Sequence, residues 1–401
     1  MFCAARRLVP TVRCDIDTRL HRRHDVVVVG ARCAGAAVAM LLARKGVDVL
    51  LVDRGAEGTD TLSTHALMRA GVLQLHHWGV LEGVERCGTP VVRSTTFHYG
   101  DEVVAIELKP RDGVAGLYAP RRSIIDRLLV EAAREAGVDV VHGVTVSDLM
   151  RSPDGRVRGV VVKDTDGGTV EVAADLVVGA DGMRSTVAEL VKATPYHHGR
   201  HTTAVIFSYF ADVALDGYHW YYRPGVSVGS IPSNDGLTCV FAAIPPRRFH
   251  DQLRFDVAAG HRQVLHECSA ALADAVQEGK RAERYRGFAG LVGYVRQSCG
   301  PGWALVGDAG YFKDPLTAHG MTDALIDAEL LARAVADGSS DALEGYQRAR
   351  DARSLAFFEL TDAIASFEWD LPALQAMHRA LSEEMKREAA GVLALHAIER
   401  G

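Results

Sequence analysis

The chain has 401 residues, of which 48% are hydrophobic and 24% are charged, which is typical of a soluble globular protein. This length suits about two domains of roughly 100–200 residues each. The formal net charge is −6, with no long block of one sign, so the composition gives no support for a nucleic-acid partner. No window reaches the ~18 uninterrupted apolar residues that a membrane span needs.

The seven cysteines are scattered and form no CxxC pair. This favours free thiols in a reducing cytoplasm, and no metal site is predicted. Residues 1–24 are rich in arginine but lack a continuous apolar core, which argues against a secretory signal. We favour a flexible tail, or a start codon assigned too far upstream, over an amphipathic transit segment.

The first predicted elements form one β-α-β unit. Residues 25–30 are a run of valines that ends in glycine, which is typical of a buried parallel strand. Residues 36–45 form an alanine- and leucine-rich helix that Gly46 stops, and residues 47–53 form the second strand.

The rest of the chain mixes strands and helices. The predicted elements, in chain order, are a hairpin at 91–108, a helix at 122–136, a β-meander at 157–172, a buried strand at 176–179, an antiparallel sheet at 203–244, a mostly helical stretch at 248–295, a strand at 303–306 and helices from 321 onward.

These elements predict an α/β chain with a discontinuous Rossmann-like nucleotide domain, an inserted antiparallel-sheet domain and C-terminal helices. The nucleotide domain is assigned residues 25–90, 115–190 and 296–340. The inserted domain, which is expected to bind substrate, is assigned 91–114 and 195–295, and the C-terminal helices 341–401.

The first motif is Gly30-Ala-Arg-Cys-Ala-Gly35, which lies between a strand and a helix, as a dinucleotide fingerprint requires. Gly30 permits a tight turn, and Gly35 permits close packing of helix on strand. The helix N-terminus offers free amides to a pyrophosphate. Asp53, at the end of the second strand, is placed to accept a ribose hydroxyl.

Arg32 stands where a second glycine is usual in such a fingerprint. An arginine there must keep φ negative and turn its side chain away from the loop. We hypothesise that its guanidinium neutralises the pyrophosphate or reaches the cofactor ring. A solvent-facing arginine is an equal alternative.

Two further strands end in aspartate motifs. The second motif runs from Ala174 to Ser185 and contains Asp181-Gly182. The third, Gly307-Asp308-Ala-Gly, is followed by Asp314-Pro-Leu-Thr-Ala-His-Gly-Met321 and a helix with an apolar face. An isolated Asp-Gly or Gly-Asp pair is usually a turn, but the three strings together are far more specific.

In this order and at these separations, the three motifs resemble those of the para-hydroxybenzoate hydroxylase superfamily, over essentially residues 25–340. The resemblance implies bound FAD. The residues that it places at the cofactor, together with neighbours that we add to them, are Gly30, Arg32, Ala34, Gly35, Asp53, Arg54, Arg122, Asp181, Gly307, Asp308, Gly320 and Met321. Arg121 is the alternative register for Arg122.

The resemblance also implies an activity, which the flavin supplies and the protein directs. We expect an FAD-dependent oxidoreductase, foremost a monooxygenase that uses NADPH or NADH and O2 on a small aromatic or polyketide-like substrate. The Asp314-Pro-Leu-Thr string is similar to geranylgeranyl-reductase-like members, so a reductase or dehydrogenase is the alternative. A halogenase relative and a flavin-binding protein without turnover are weaker ones.

Substrate contacts are expected from the inserted sheet, where residues 218–222 are the densest aromatic run. Side chains alternate along a strand, so Trp220 and Tyr222 share one face and are predicted to line the pocket with Pro315. His65 and His319 are candidates for a general base or a substrate anchor, although a lone histidine is more often structural. A monomer or homodimer is expected.

Overall fold

The chain folds into two large sheets, one mostly parallel and one mostly antiparallel. The computed structural model describes residues 18–398 except 62, 64, 164–167 and 214. In chain order the strands are β1 (His24–Val29), β2 (Val49–Asp53), β3 (Ser94–Tyr99), β4 (Glu102–Glu107), β5 (Asp139–His142), β6 (Thr145–Arg151), β7 (Val157–Lys163), β8 (Thr169–Gly179), β9 (Pro195–His198), β10 (Ala204–Ala211), β11 (Tyr218–Arg223), β12 (Val226–Pro232), β13 (Thr238–Ile244), β14 (Lys280–Arg281), β15 (Arg286–Phe288), β16 (Tyr294–Arg296), β17 (Cys299–Gly300), β18 (Trp303–Leu305) and β19 (Tyr311–Phe312).

Helices pack on both large sheets and form the C-terminal part of the chain. They are α1 (Cys33–Arg44), α2 (Arg69–His77), α3 (Leu81–Arg86), α4 (Arg122–Glu135), α5 (Thr186–Leu190), α6 (Pro246–Arg248), α7 (Val257–Cys268), α8 (Ala270–Glu278), α9 (Gly320–Asp337), α10 (Ala342–Ala365) and α11 (Leu371–Ile398).

The first sheet has the order β17-β18-β8-β1-β2-β5, with β7 and then β6 attached to β8. Strands β18, β8, β1, β2 and β5 are parallel neighbours. Their valine- and leucine-rich sequences suit this position, because both faces of the sheet are buried, one mainly by helices such as α1 and the other mainly by strands β6 and β7. The predicted Rossmann-like architecture is confirmed.

Strand β8 joins two elements that the sequence predicts separately. Its first half pairs antiparallel with β7, and its second half pairs parallel with β1 and β18. The change of partner explains why the sequence pattern changes from alternating to continuously apolar within one strand.

The second sheet has the order β14-β10-β13-β12-β11-β3-β4, and β15 also pairs with β10. The predicted hairpin at 91–108 is confirmed as β3 and β4, and β3 joins β11 in parallel. Residues 94–107 and 204–288 therefore share one sheet, as the predicted substrate domain requires, while its boundaries stay a prediction.

The prediction of a mostly helical stretch at 248–295 agrees with the structure as far as Glu278 and is wrong after it. Strands β14, β15 and β16 follow, and β14 and β15 each pair with β10. These strands have two or three residues each, too few for a periodic signal. β14 and β15 form because the longer β10 offers them its edge, whereas β16 pairs with the short strands β9 and β19.

The predicted flexible tail ended at residue 24, and residues 1–17 lie outside the described part of the chain. Within residues 18–24, Leu20 is buried, and Arg22 donates to the carboxylates of Asp48 at 2.8 Å and Asp139 at 2.6 Å. The folded chain therefore begins earlier than predicted.

Among the helices described, none combines the length and apolarity that crossing a bilayer requires.

Candidate flavin site

The three sequence motifs follow strands whose carboxyl ends lie side by side. Val29 of β1 pairs with Val52 of β2 and with Gly179 of β8, and Gly179 also pairs with Leu305 of β18. The loops after β1, β8 and β18 therefore leave the sheet at adjoining positions. Open α/β sheets bind their ligands at this edge.

The first loop is packed directly against the second. Gly30 has a φ of 107°, and a Cβ atom there would lie 2.5 Å from the carbonyl oxygen of Ala180. A Cβ atom on Gly35 would lie 1.8 Å from the carbonyl oxygen of Gly30. Both positions therefore require glycine for the tight turn and for the seating of α1 on the sheet.

The third loop reaches the first through Gly307, where a Cβ atom would lie 3.0 Å from the Cβ atom of Ala34. Asp308 follows, and burial raises the pKa of its carboxyl to about 6, against the opposing charge of Arg122. Gly320 begins α9, and a Cβ atom there would lie 4.0 Å from Oδ1 of Asp308. Met321 is half-buried beside it. The Asp308 carboxyl thus lies close to the N-terminus of α9.

Asp53 closes the first loop from the end of β2. Its Oδ2 accepts the amide of Ala31 at 2.7 Å, and its Oδ1 accepts the amide of Gly55 at 2.6 Å. Each carboxylate oxygen has a further lone pair, so Asp53 can hold the loop and still accept a hydroxyl. Arg54, the next residue, is exposed.

Arg32 has a φ of −98°, in agreement with the prediction that an arginine there keeps φ negative. Its Nη1 donates to the carbonyl oxygen of Thr59 and to Oδ2 of Asp126, both at 3.2 Å. Arg32 and Asp53 line the same small groove at the ends of β1 and β2. The side chain therefore borders the space where the adenosine half of FAD is expected, and its contact with the cofactor stays a prediction.

Arg121 and Arg122, the two candidates for the arginine that approaches the cofactor at the start of α4, have different surroundings. Arg122 is partly buried, with 12% of its side chain exposed, and donates to Asp126 at 3.1 Å. Burial alone would lower its pKa, but the charges of Asp126, Cys33 and Asp308 raise it. Arg122 therefore belongs to the cofactor side of α4.

Arg121 lies on the side of the inserted sheet. It donates to Asp60 at 2.5 Å and to Glu283 at 2.6 Å, and its guanidinium lies 4.0 Å above the ring of Tyr209. These contacts join the loop after β2 to the second sheet.

Asp181 caps the short helix α5. Its Oδ1 accepts the hydroxyl of Ser185 at 2.5 Å, and its Oδ2 accepts the amide of Thr186 at 2.7 Å. Burial raises its pKa. These bonds fix the second loop, and the predicted cofactor contact of Asp181 stays a prediction.

His65 is buried and has a φ of 65°, a left-handed conformation that costs a non-glycine residue energy. Its Nε2 is hydrogen-bonded to the hydroxyl of Tyr209 on β10. Its Nδ1 is buried and has no hydrogen-bond partner among the described residues. Burial lowers the pKa of His65 to about 3, so the ring is neutral at physiological pH.

His319 is buried on the opposite side of the α9 loop, among the C-terminal helices. Its Nε2 lies 2.6 Å from Oε2 of Glu388, and its ring stacks on Phe357 at 4.2 Å between centroids. His65 and His319 therefore have no partner in common, and each has its own environment.

The predicted substrate residues of β11 share a face, as the alternation required. Trp220 and Tyr222 are buried with Phe241 in the large hydrophobic cluster that also holds the α1 and α9 helices, whereas Tyr221 joins the cluster on the other face of the sheet. Nε1 of Trp220 donates to Thr95 at 3.1 Å. Pro315 differs from these two because it is exposed.

Three acidic or imidazole groups, His319, Asp323 and Glu388, lie close enough together to suggest a metal site. The ammonium of Lys313 bonds Asp323, and the guanidinium of Arg353 lies 2.8 Å from Asp323 and 2.7 Å from Glu388. Two fixed cations already neutralise these ligands, so the cluster is better suited to ion pairing than to a divalent ion.

The sequence patterns did not identify the buried charges of α9, α10 and α11, nor Tyr209 as the partner of His65. One signal was available, because Asp323 and Asp327 recur four residues apart within the apolar pattern of α9. Buried acidic residues require partners, so this spacing indicated an ion network.

The geometry fits a dinucleotide-binding flavoprotein, because three glycine-containing strand ends converge on one edge, beside a helix N-terminus and the Asp53 carboxylate. The profile of the FAD binding domain family matches residues 23–361, and the chain belongs to this family. It is an FAD-dependent oxidoreductase of the para-hydroxybenzoate hydroxylase-like superfamily.

Relatives of known name have several activities. The digeranylgeranylglycerophospholipid reductase 2 of Methanopyrus kandleri is 30% identical over 344 residues, which cover 80% of this chain and 81% of that protein. Among solved structures, a variant of halogenase PltM in complex with FAD has a TM-score of 0.79 at 16% identity, covering 95% of this chain and 84% of that one. PqsL, a probable FAD-dependent monooxygenase from Pseudomonas aeruginosa, has a TM-score of 0.69 at 21% identity, covering 93% of this chain and all of that one.

The residues present fit FAD. Gly30 and Gly35 leave no room for side chains in the turn that leads into α1, and Asp53 lies at the end of the adjoining strand. The half-buried carboxyl of Asp308 lies beside a helix N-terminus, where a ligand with hydroxyl groups would satisfy it.

Proposed function

We propose that this flavoenzyme reduces an apolar, prenyl-type substrate. The observation that carries the proposal is the inner face of the second sheet, where Trp220, Tyr222 and Phe241 are buried among other hydrophobic side chains and give the sheet an aromatic surface. Such a surface favours an uncharged hydrocarbon over an acidic or sugar-like substrate. The similarity to a digeranylgeranylglycerophospholipid reductase supports the same substrate class.

Bound FAD would supply the redox chemistry, accepting electrons from NADPH or NADH and passing a hydride to a substrate double bond. The protein must then provide one proton to the other carbon. Tyr209 and His65 can conduct that proton, because burial keeps the phenol protonated by raising its pKa, and keeps the imidazole neutral. The phenol would give its proton to the substrate carbon, Nε2 of His65 would return one to the phenol, and Nδ1 of His65 would take up a proton from water between turnovers.

A monooxygenase is the second candidate, supported by the resemblance to hydroxylases and by the likeness in fold to PqsL. In that case O2 is a co-substrate, and the small aromatic or polyketide-like substrate would bind the same aromatic surface. A cytoplasmic location and a monomeric or homodimeric state remain predictions.

Turnover with and without oxygen distinguishes the two candidates. Purified FAD-loaded protein is reduced with NADPH or, separately, with dithionite, and it is incubated with a panel of prenyl alcohols, prenylated quinones and phenols. A reductase forms a product that is two hydrogens heavier without O2. A product that gains one oxygen atom, and only in air, would show a monooxygenase and contradict the primary proposal.

A further inference from the structure

The inner face of the second sheet holds a buried hydroxyl that the folded chain leaves unsatisfied. Tyr218, the first residue of β11, is 1% exposed, and its phenol oxygen has no hydrogen-bond partner among the described residues. Buried polar groups in folded proteins are nearly always paired, because an unpaired one loses its bonds to water and gains nothing in return. The Tyr218 hydroxyl is therefore suited to a partner that the chain itself does not supply.

Other buried phenols near the two sheets do have partners. The hydroxyl of Tyr209 is hydrogen-bonded to Nε2 of His65, and the hydroxyl of Tyr118 donates to Oε1 of Glu85. Both of these tyrosines are as completely buried as Tyr218. The unpaired hydroxyl of Tyr218 is thus a property of its own position and not of burial in general.

The surroundings of the Tyr218 hydroxyl leave its proton without an acceptor. Burial raises the pKa of Tyr218, and the nearby backbone of Leu67 opposes the rise only in part. The amide of Leu67 already donates to the carbonyl oxygen of Tyr118 at 2.9 Å. The phenol therefore keeps its proton and can donate it in a hydrogen bond.

Tyr218 lies at one end of a row of side chains that crosses the inner face of the sheet, and Tyr209 lies at the other end. Tyr209 pairs with Cys239, Cys239 pairs with Ile231, and the register of β11 with β12 places Tyr218 across from Ile231. Three strand spacings separate the two tyrosines, about 14 Å. The ring of Tyr218 also meets that of Trp220 edge to face, with 6.3 Å between centroids.

We infer that Tyr218 is a substrate-binding residue that donates a hydrogen bond to an oxygen at the polar end of the substrate, such as an alcohol, ether or carbonyl oxygen. The inference rests on the substrate surface in the proposed function. The hydrocarbon chain would cross Ile231 and Cys239, between the anchor at Tyr218 and the proton donor at Tyr209. A buried donor of this kind discriminates against an analogue that lacks the oxygen, because the donor then stays unpaired.

The first test compares thermal unfolding of FAD-loaded wild type and Tyr218→Phe without substrate. This substitution removes only the hydroxyl, and no hydrogen bond is lost with it, so the midpoint should be equal to that of wild type or higher. Tyr118→Phe is the matched control, since it breaks the bond to Glu85 and should lower the midpoint. A lower midpoint in Tyr218→Phe would show that the hydroxyl already has a partner and would overturn the inference.

The second test measures the affinity of the oxidised holoenzyme for two probes, followed by the change in flavin absorbance. The probes are geranylgeraniol and the hydrocarbon in which a hydrogen atom replaces its hydroxyl group. Wild type should prefer the alcohol by about tenfold, the value of one hydrogen bond to a buried donor. Tyr218→Phe should lose that preference through weaker binding of the alcohol alone, with the affinity for the hydrocarbon unchanged.

The outcomes separate the inference from the proposed function. Wild type that binds both probes with equal affinity, or a Tyr218→Phe variant that loses affinity for both equally, would overturn the inference and leave the proposed function standing. Wild type that binds neither probe would contradict the proposed function and, with it, the occupant inferred for Tyr218.

Discussion

At the scale of the residue, the ionised form of Asp308 is unfavourable in the cofactor-free protein because its carboxyl is desolvated. Its carboxyl is desolvated between the loop after β18 and the start of α9, and its pKa rises to about 6. A carboxyl with a raised pKa favours its neutral form, so the folded protein binds a proton that the unfolded chain releases.

This shift predicts a pH-dependent gain in stability for Asp308→Asn in cofactor-free protein. The folded wild type binds the extra proton only between the ordinary carboxyl pKa and about 6, so its stability falls as the pH rises through that window. The asparagine variant lacks this loss. Urea unfolding at pH 5 and pH 7 should show a larger stability difference between variant and wild type at pH 7. An equal difference at both pH values would show that Asp308 does not titrate in this way.

Trp220 permits a test of the aromatic face. Trp220→Phe shortens the ring and removes the bond to Thr95 while keeping an aromatic residue in the cluster. Affinity for a prenyl substrate should fall roughly tenfold, about 1.4 kcal/mol, with FAD affinity unchanged. Tyr221→Phe, on the other face of β11, is the control and should change neither constant. Equal effects of the two substitutions on substrate would place the pocket elsewhere.

At the scale of the element, the contact of the site with the least space for an added side chain is the packing of α1 on the first sheet. The Cβ of an alanine at position 35 would lie 1.8 Å from the carbonyl oxygen of Gly30, so the helix or the loop must move. By contrast, Gly391 in α11 is exposed and has no atom near its missing Cβ.

The two glycines therefore predict opposite results for the same substitution. Gly35→Ala should cost at least about 3 kcal/mol and abolish FAD binding, because overpacking moves the loop that holds the pyrophosphate. Gly391→Ala should stabilise the protein by up to about 1 kcal/mol, because alanine is the better helix former. Thermal unfolding and the FAD content of the purified variants measure both effects. A folded, FAD-loaded Gly35→Ala protein would contradict this account of the loop.

The sequence predicted these elements well where the signal was local. A valine run that ends in glycine, as at Val26–Gly30, determines its own strand and turn, and the three motif loops could be located from such runs. Strands β14 and β15 could not be predicted, since they depend on the edge of β10. The pairing of His319 with Glu388 spans 69 residues and carries no local pattern.

At the scale of the whole molecule, the site is assembled from three parts of the chain. The first sheet supplies the loops that we expect to meet FAD, the second supplies an aromatic face, and the last helix reaches back to His319. The ion network of Arg121, Asp60 and Glu283 joins the loop after β2 to the second sheet. Cofactor binding and the relative placement of the two sheets are thus expected to be coupled.

Our central proposal is that loops far apart in sequence meet a single FAD. An equilibrium titration of cofactor-free protein with FAD, followed by flavin fluorescence, tests this for wild type, Asp53→Ala and Asp308→Ala. We predict one FAD per wild-type chain and at least about tenfold weaker binding in each variant, because each removes a charge-assisted hydrogen bond to a different half of the cofactor. Wild-type protein that binds no FAD, or affinity that is unchanged in both variants, would contradict the claim.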